Sequence, residues 1–403
     1  MKILIVTQYF WPESFRINDL ALGLQERGNE VHVLTGKPNY PNGSFYPGYN
    51  FYNKSRETWH GITVFRSPLI ARGSGSGLRL MVNYLSFAFL ASLKSLFING
   101  RYDLVFVYEP SPITVGIPAV FIAKRMQIPV YFWVQDLWPE SVTAAGQLNN
   151  KLILKQLDNL TKWIYKNSAK VLIQSEGFKE YILNQGVENA KIVYYPNSTE
   201  SLYDVVEPKE EIVGLVPKVP FCLMFAGNIG EAQDFENIIE AARLVKTANR
   251  DIHFVILGNG RKKDFVEQKV AEYGLSSNFH LLGAFPVEKM PDFFACSDAL
   301  LVTLKNSRIF SLTIPSKVQS YLACGKPIVA ALDGEGAKVI KDARAGVVAP
   351  TGDPQKLAES ILELYALPKE KRRQMSENAR KYFEENFERE ILIDRLLGIF
   401  NGD

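Results

Sequence analysis

The chain has 403 residues, of which 47% are hydrophobic and 22% charged, and its formal net charge is +3. This composition is ordinary for a soluble globular protein and excludes a disordered chain, a collagen and a coiled coil. The net charge is too small to indicate a nucleic-acid partner. At about 150 residues per domain, the length predicts two or three domains.

Cysteine and histidine are few, with three of the former and four of the latter. Neither type shows a spacing that predicts a disulfide framework or a metal site. The N-terminus reaches Gln8 after only a short apolar run, which does not fit a signal peptide. We therefore expect a reduced, cytoplasmic protein.

In the first half of the chain, short apolar runs alternate with helical patterns, which is typical of a parallel, doubly wound sheet. Between the first two runs, Ile17, Leu20 and Leu24 recur at helical spacing, and Gly28 follows as a typical helix end. Strands are predicted at residues 2–7, 31–35, 62–66, 103–107, 130–134, 171–174 and 192–194.

The second half of the chain has the same alternation of strands and helices as the first half, but its net charge is of the opposite sign. Residues 1–197 carry 20 Lys and Arg against 13 Asp and Glu, whereas residues 198–403 carry 26 against 30, so two halves with different partners are expected. Strands are predicted at 221–225, 253–257, 279–282, 299–302, 327–330 and 346–348, and helices at 236–248, 262–273, 288–295, 316–323 and 354–364.

These patterns predict an α/β protein of two Rossmann-like domains. The boundaries are 1–197 for the first and 198–385 for the second, with an aperiodic acidic linker at about 197–218. A C-terminal helix in 386–403 is expected to cross back to the first domain. Because ligands bind at the carboxyl ends of parallel strands, the predicted site is the cleft between two facing domains.

Three loops of the first domain follow predicted strands. The loop 8–16 is rich in aromatic residues and ends at Arg16, a permanent cation beside a helix start, where an anion could bind. The alternative is that this loop is only a packed aromatic turn. Glu109 and Asp136 follow two further strands and could hold a substrate hydroxyl or act as a general base. Helix capping is the alternative for Asp136.

Four loops of the second domain carry glycine or a lysine beside a helix start. Gly227 precedes Asn228, and Gly260 precedes Arg261, so that the backbone can approach a ligand closely. Lys317 follows Ser316 in the first turn of a predicted helix, where the helix dipole disfavours a cation. A bound anion such as a diphosphate would explain that placement. A further glycine loop comprises Gly334, Glu335 and Gly336.

The stretch from Pro315 to Ala330 (PSK…YLACGKPIVA), the GNG turn at 258–260 and the GAFP turn at 283–286 resemble the retaining glycosyltransferases of family 4, which have the GT-B fold. The motifs YFWPE, PNYPNG and QDLWPES are similar to those of a bacterial subgroup that builds O-antigen and capsule. Within it, the chain looks most similar to N-acetyl-L-fucosamine transferases.

The resemblance implies a nucleotide sugar, expected to be a UDP-sugar, on the second domain and a lipid-diphosphate-linked glycan acceptor on the first. The base would lie against Phe285 and the ribose near Ser320. The diphosphate would lie near Asn228, Lys317 and the backbone at Gly334–Gly336, with charge also from Arg16 or Arg261. Retention would proceed by front-face departure of the nucleotide, without a covalent intermediate, a cofactor or a metal.

The chain departs from the family's pattern at several positions. Two positions that carry glutamates in the family are Leu312 and Ser320 here, and the usual Arg and Lys are Asn228 and Gln233. The family's histidine before Asp136 is Gln135, which we therefore include among the catalytic candidates. Two other functions stay open on the sequence alone. One is a sugar-nucleotide epimerase, and the other is a non-catalytic paralogue that binds nucleotide sugars.

An apolar segment at 78–98 lies within a stretch, residues 58–102, that has no acidic residue and five basic ones. It is too short to span a bilayer but could lie in the membrane interface on the cytoplasmic side. Phe87 and Phe89 are candidate docking residues, and the preceding loop 72–77 is predicted to be mobile. The alternative is a helix that is wholly buried against the sheet.

Overall fold

The computed structural model describes residues 1–73, 77–144 and 150–402, so that part of the predicted mobile loop lies outside the described residues. The chain forms two compact units. The first contains Met1–Asn197 together with the chain from Ile393 onward, and the second contains Ser198–Leu392.

The first unit contains an eight-stranded sheet in the order β3-β4-β2-β1-β5-β6-β7-β8. All neighbouring strands are parallel except β3 and β4, which form an antiparallel pair. The seven predicted strands are confirmed, and β3 is an additional edge strand. The strands are β1 (Lys2–Val6), β2 (Glu30–Gly36), β3 (Arg56–Trp59), β4 (Ile62–Ser67), β5 (Leu104–Glu109), β6 (Val130–Val134), β7 (Lys170–Ile173) and β8 (Ile192–Tyr194).

Helices flank this sheet. The helix after β1 buries Ile17, Leu20 and Leu24, as their spacing predicts, and ends before Gly28, whose φ of 79° suits glycine. The helices of this unit are α1 (Arg16–Glu26), α2 (Gly77–Ser95), α3 (Gly116–Met126), α4 (Glu140–Ala144), α5 (Lys151–Lys166) and α6 (Lys179–Asn184).

The second unit contains a fully parallel six-stranded sheet in the order β11-β10-β9-β12-β13-β14. Its four central strands are almost entirely buried on both faces, which explains why they are continuous apolar runs in the sequence. The strands of this sheet are β9 (Phe221–Ala226), β10 (Ile252–Leu257), β11 (Phe279–Gly283), β12 (Ala299–Thr303), β13 (Ile328–Ala331) and β14 (Gly346–Ala349).

The predicted linker is packed onto the second unit and contains a short helix. Ile212 is fully buried, and the backbone N–H of Lys209 donates to the Asp292 carboxylate at 3.1 Å. The remaining helices are α7 (Glu210–Val213), α8 (Phe235–Ala248), α9 (Lys263–Glu272), α10 (Met290–Ala295), α11 (Arg308–Ser311), α12 (Ser316–Ala323), α13 (Gly334–Asp342), α14 (Pro354–Ala366), α15 (Lys369–Asn386) and α16 (Arg389–Asn401).

The end of α16 packs in the first unit. The Phe400 ring lies 5.5 Å from the Phe106 ring and 4.9 Å from the Tyr131 ring, both at edge-to-face angles. Arg27 on the far end of α1 also pairs with Asp394.

Both sheets contain a point at which the strand order reverses. In the first, β1 lies between β2 and β5, and in the second, β9 lies between β10 and β12. Ligands of open parallel sheets bind beside such points, at the carboxyl ends of the strands. The candidate residues Glu109 and Gly227 follow strands at these two points.

Candidate functional site

The clearest feature of the second unit is the contact between Gly227 and Lys317. Gly227 follows β9 with a φ of 145°, and Lys317 is the second residue of α12. A Cβ at Gly227 would lie 2.5 Å from Lys317 Cε and 2.7 Å from Nζ. The missing side chain therefore provides the space that the lysine occupies.

Within the ranges that the structure describes, no carboxylate or hydrogen-bond acceptor pairs with the ammonium group of Lys317. It lies 4.4 Å from the centre of the Phe225 ring. Burial lowers the pKa of Lys317 to about 8. An unpaired, partly buried cation near a helix N-terminus is unfavourable unless an anion binds there.

The glycine loops after β9, β10 and β11 are joined by backbone hydrogen bonds. Gly227 N–H donates to Leu257 O at 2.8 Å, and Gly258 N–H donates to Gly283 O at 2.7 Å. A Cβ on Gly258 would lie 1.8 Å from Gly227 O, which is closer than any side chain allows. Glycine is required here for close approach of the backbones, which places these loops side by side at one edge of the sheet.

The side chain of Asn228 lies in the space left by two glycines of these loops. A Cβ at Gly230 would lie 2.3 Å from Asn228 Nδ2, and a Cβ at Gly260 would lie 2.6 Å from its Oδ1. The structure therefore brings Gly227, Asn228, Gly260 and Lys317 together, and their role in donor binding stays a prediction.

The start of α13 forms a second backbone feature. Gly334 has a φ of 62°, and a Cβ there would lie 1.9 Å from Ser311 O. Asp333 directs its carboxylate to the Thr351 hydroxyl and makes no side-chain bond to the helix N–H groups. The first N–H groups of α13 therefore receive no hydrogen bond from the Asp333 side chain. A helix N-terminus of this kind is suited to binding anions. Glu335 is half-buried there.

The other donor candidates are placed less distinctively. Ser316 is exposed, and Ser320 is buried with its hydroxyl donating to Ser316 O at 3.1 Å. Arg261 is exposed. Phe285 is half-buried, and its ring lies 4.6 Å from the Phe293 ring, so part of its surface packs against the core of the second unit.

In the first unit, Glu109 and Asp136 lie close enough to interact electrostatically. Glu109 is fully buried, and neither of its carboxyl oxygens makes a hydrogen bond among the described residues. Burial, with a smaller effect from the charge of Asp136, raises the pKa of Glu109 well above its usual value. Burial also raises the pKa of Asp136, which is only half-buried.

Helix capping does not explain Asp136, because α4 begins four residues later at Glu140. Several buried polar atoms around this carboxylate also lack a hydrogen-bond partner within the described part of the chain. Such atoms are rare in folded proteins and are concentrated where ligands or water bind. They are Gln135 Nε2, Thr114 Oγ1 and Tyr165 Oη. The side chains of Trp138 and Ser141 donate toward the Asp136 carboxylate.

The loop after β1 is both a packed aromatic turn and a position for Arg16. The Tyr9 ring stacks on the Phe15 ring at 5.0 Å and contacts the Tyr40 ring at 5.5 Å. Arg16 is half-buried, and its buried Nη1 has no hydrogen-bond partner among the described residues. Burial raises the pKa of Tyr108 strongly, and the nearby guanidinium group of Arg16 partly opposes that rise.

Sequence reasoning missed Glu13, which organises this end of the first unit. Glu13 is 1% exposed, and its Oε1 accepts the backbone N–H groups of Asn39 at 2.8 Å and Tyr40 at 2.7 Å. Burial raises its pKa to about 7. The repeated proline of the loop around Asn39 was the available signal, because such a loop leaves backbone N–H groups that need an acceptor.

No group of three or more His, Cys, Asp or Glu residues that could hold a metal ion occurs in the ranges that the structure describes. Metal independence stays a prediction.

The two parallel sheets and the loops at their carboxyl edges define a GT-B glycosyltransferase. Residues 14–198 match the family of glycosyl transferase 4-like domains, and residues 207–382 match the group 1 glycosyl transferases. The chain is therefore built from the domains of these two families, and it is a glycosyltransferase.

Individual relatives agree with this assignment. The chain is 24% identical over 344 residues to WcaI of Escherichia coli, a glycosyl transferase named for colanic acid biosynthesis, with 81% of this chain and 82% of WcaI covered. It is 27% identical over 240 residues to the glycosyltransferase WbjE of Pseudomonas aeruginosa, with 58% and 59% covered. The structure of Anabaena HepE in complex with UDP covers both chains fully at a TM-score of 0.72 and 14% identity, which establishes the fold.

Proposed function

We propose that this protein is a retaining glycosyltransferase that moves a sugar from a UDP-sugar to a lipid-linked glycan acceptor. The observation that carries the proposal is the unpaired ammonium of Lys317 in the space beside Gly227, next to the joined glycine loops. A diphosphate would neutralise that charge and accept hydrogen bonds from backbone N–H groups at the start of α13. The UDP in the structure of HepE, which shares the fold, supports uracil as the base.

Lys317 would contribute most as the nucleotide leaves. Departure of UDP concentrates negative charge on the diphosphate, and a fixed cation stabilises that charge more in the transition state than in the bound substrate. In a front-face mechanism the departing phosphate can accept the proton of the incoming hydroxyl. The reaction then needs neither a covalent intermediate nor a metal.

The acceptor would bind at the first unit, beside Asp136 and its unpartnered neighbours. Asp136 is the better placed of the two acidic candidates to hold or deprotonate a hydroxyl, because Glu109 is fully buried and its raised pKa favours the neutral acid. Gln135 would contribute a polar contact, since its buried Nε2 is unpartnered in the described chain. Arg16 would add positive charge at this edge.

The expected acceptor is a lipid-linked precursor of O-antigen or capsule, and the proposed sugar is N-acetyl-L-fucosamine. The name of WcaI, which refers to colanic acid biosynthesis, supports a role in bacterial glycan biosynthesis. No helix among the described residues is long and apolar enough to cross a membrane. The proposed surface for contact with a lipid acceptor is the exposed apolar side of α2 within 78–98.

The experiment that tests donor use is a metal-free thermal shift with UDP, GDP, ADP and NAD. A ligand at 100 times its Kd stabilises the folded state by about 2.7 kcal/mol, which is measurable. We expect a shift with UDP and none with NAD. A shift with GDP alone would keep the reaction class and overturn the donor, and no shift with any nucleotide would overturn the proposed nucleotide site.

Reaction type is tested with a UDP-sugar and a polyprenyl-diphosphate-linked acceptor. Retained anomeric configuration in the product, read by NMR coupling constants, is the expected result. Conversion of the UDP-sugar without an acceptor would instead identify an epimerase.

A further inference from the structure

An apolar cavity of about 460 Å³ lies between α2 and α5 in the first unit. Its volume is within the range of small-molecule sites, and its walls are almost entirely hydrocarbon. Its lining includes Leu80, Met81, Leu157, Leu160, Thr114 and Trp138. Neither the nucleotide nor the sugar of the proposed reaction needs a hydrophobic pocket of this kind.

Two residues that line this cavity carry a buried polar side-chain atom. Thr114 is 4% exposed, and its Oγ1 has no hydrogen-bond partner among the described residues. Trp138 is 7% exposed, and its indole N–H donates toward the Asp136 carboxylate. A buried hydroxyl without a partner is costly unless a polar group binds it, so Thr114 suits the oxygen-rich end of a ligand.

The cavity adjoins the proposed acceptor residues. Trp138 comes two residues after Asp136, and its N–H opposes the rise that burial causes in the pKa of that carboxyl. A ligand with an apolar chain in the cavity would therefore place its polar end near Asp136.

The apolar surface continues outside the cavity. A groove of about 960 Å³ between α2 and α3 shares Leu85 with it, and Phe89, which also lines this groove, is 65% exposed. The two helices that bound the cavity also carry exposed basic side chains, Arg79 on α2 and Lys151 and Lys155 on α5. A long hydrocarbon chain with an anionic head fits both features.

We infer that this cavity binds the isoprenoid chain of a polyprenyl-diphosphate-linked acceptor, with the first carbons of the chain beside Thr114 and Trp138. The inference rests on the proposed function and adds to it the position of the lipid. The polar end of the lipid then lies near Asp136, and the remaining chain follows the groove past Leu85.

Farnesyl diphosphate is the soluble probe, and its binding to the full chain is measured by calorimetry. Leu160→Trp fills the cavity and is expected to weaken binding about tenfold or more. Leu93→Trp, on α2 but outside the lining of both apolar sites, is the matched control and should leave binding unchanged. Leu157→Phe is a second, smaller filling variant in case Leu160→Trp does not fold.

A further variant tests the polar end. Thr114→Val keeps the volume but removes the hydroxyl, so it should weaken farnesyl diphosphate several-fold and leave farnesol unchanged. Equal binding of farnesyl diphosphate to wild type and the filling variants would overturn the inference. Equally tight binding of dihexanoyl phosphatidylglycerol would overturn it in favour of a membrane phospholipid.

The UDP-induced thermal shift separates the two proposals. A protein that responds to UDP but does not bind farnesyl diphosphate keeps its proposed function and loses the lipid site. A protein that binds farnesyl diphosphate in the cavity but does not respond to UDP loses the donor assignment instead.

Discussion

Lys317 Nζ would lie 2.7 Å from a Cβ at Gly227, so the lysine can occupy its position only while residue 227 is glycine. The contact joins the loop after β9 to the start of α12, two segments separated by about ninety residues in the sequence. The glycine loop after β9 and the start of α12 together therefore form one predicted diphosphate site.

Gly227→Ala should displace Lys317 and weaken UDP binding about tenfold or more. The new methyl group would also strain a backbone with a φ of 145°, which costs about 1–3 kcal/mol in the free energy of unfolding. Calorimetry with UDP and chemical denaturation measure the two effects separately. Gly274→Ala is the control, because its φ is 62° with no atom within 4 Å of the new Cβ. UDP affinity equal to that of this control would contradict the assignment of Lys317.

The pH dependence of UDP binding should follow the charge of Lys317. Burial lowers its pKa to about 8, so the side chain is mostly charged at pH 7 and mostly neutral at pH 9. UDP affinity should therefore fall about tenfold between these values, as the pH rises through the lysine pKa. Lys317→Arg stays charged and should remove the dependence, whereas Lys317→Met should bind weakly at both pH values. An unchanged slope in the arginine variant would show that another group titrates.

The two acidic candidates of the first unit should respond differently to neutralisation. Glu109→Gln should keep turnover within about threefold, because its raised pKa means that the wild-type carboxyl already holds a proton near neutral pH. Asp136→Asn should lower kcat about 100-fold or more if Asp136 holds or deprotonates the acceptor. Initial rates of sugar transfer, with UDP affinity as the folding control, decide this. Equal losses in both variants would assign the base function to the pair.

The fold was predictable because it depends on local patterns. Continuous apolar runs in both halves match strands that are buried on both faces, and the helical spacing of Ile17, Leu20 and Leu24 matches the buried side of α1. The edge strand β3 was missed since it is short and half-exposed, and its antiparallel pairing with β4 depends on the turn at His60 and Gly61, which both have positive φ.

The candidate site was predictable only in part. Loop positions at strand ends follow from topology, which is why Gly227 and Asp136 were singled out. Lys317 was singled out because the helix dipole disfavours a cation at a helix start. Burial is a tertiary property, so the sequence could not show that Glu109 is fully enclosed or that Phe87 and Phe89 lie on different sides of α2. Glu13 was missed because the backbone groups that it binds lie more than twenty residues away.

Glu13→Gln should remove a pH-dependent contribution to stability. Burial raises the pKa of Glu13 from 4.5 to about 7, so the folded state holds the proton more strongly than the unfolded state does. This group therefore favours folding at pH 4.5 and below, and that contribution of about 3 kcal/mol is lost as the pH rises to about 7. Urea denaturation of wild type and variant at pH 5 and pH 8 measures it. The same pH dependence in both proteins would contradict the raised pKa.

The exposed side of α2 should bind anionic membranes. The helix is not wholly buried, because Leu78, Leu85 and Phe89 are 72%, 53% and 65% exposed, and Phe97 just beyond it is 81% exposed. Phe87 is fully buried, so its replacement would test folding and not docking. Of the five basic residues around this segment, Arg66 is buried and bonded to Glu57, and Arg72 and Lys94 are half-buried. Arg79 and Arg101 are the two exposed cations.

Phe89→Ser combined with Phe97→Ser should lower partitioning into phosphatidylglycerol vesicles about 100-fold, because inserting each ring contributes at least about 1.5 kcal/mol. Thermal stability should change little, since both side chains are largely exposed. Tyr52→Ser removes a ring that is 90% exposed elsewhere in the first unit and serves as the control. Sedimentation with vesicles reads the outcome. If the double variant sediments as well as the control does, this side of α2 does not dock to the bilayer, and the lipid acceptor must reach the enzyme by another surface.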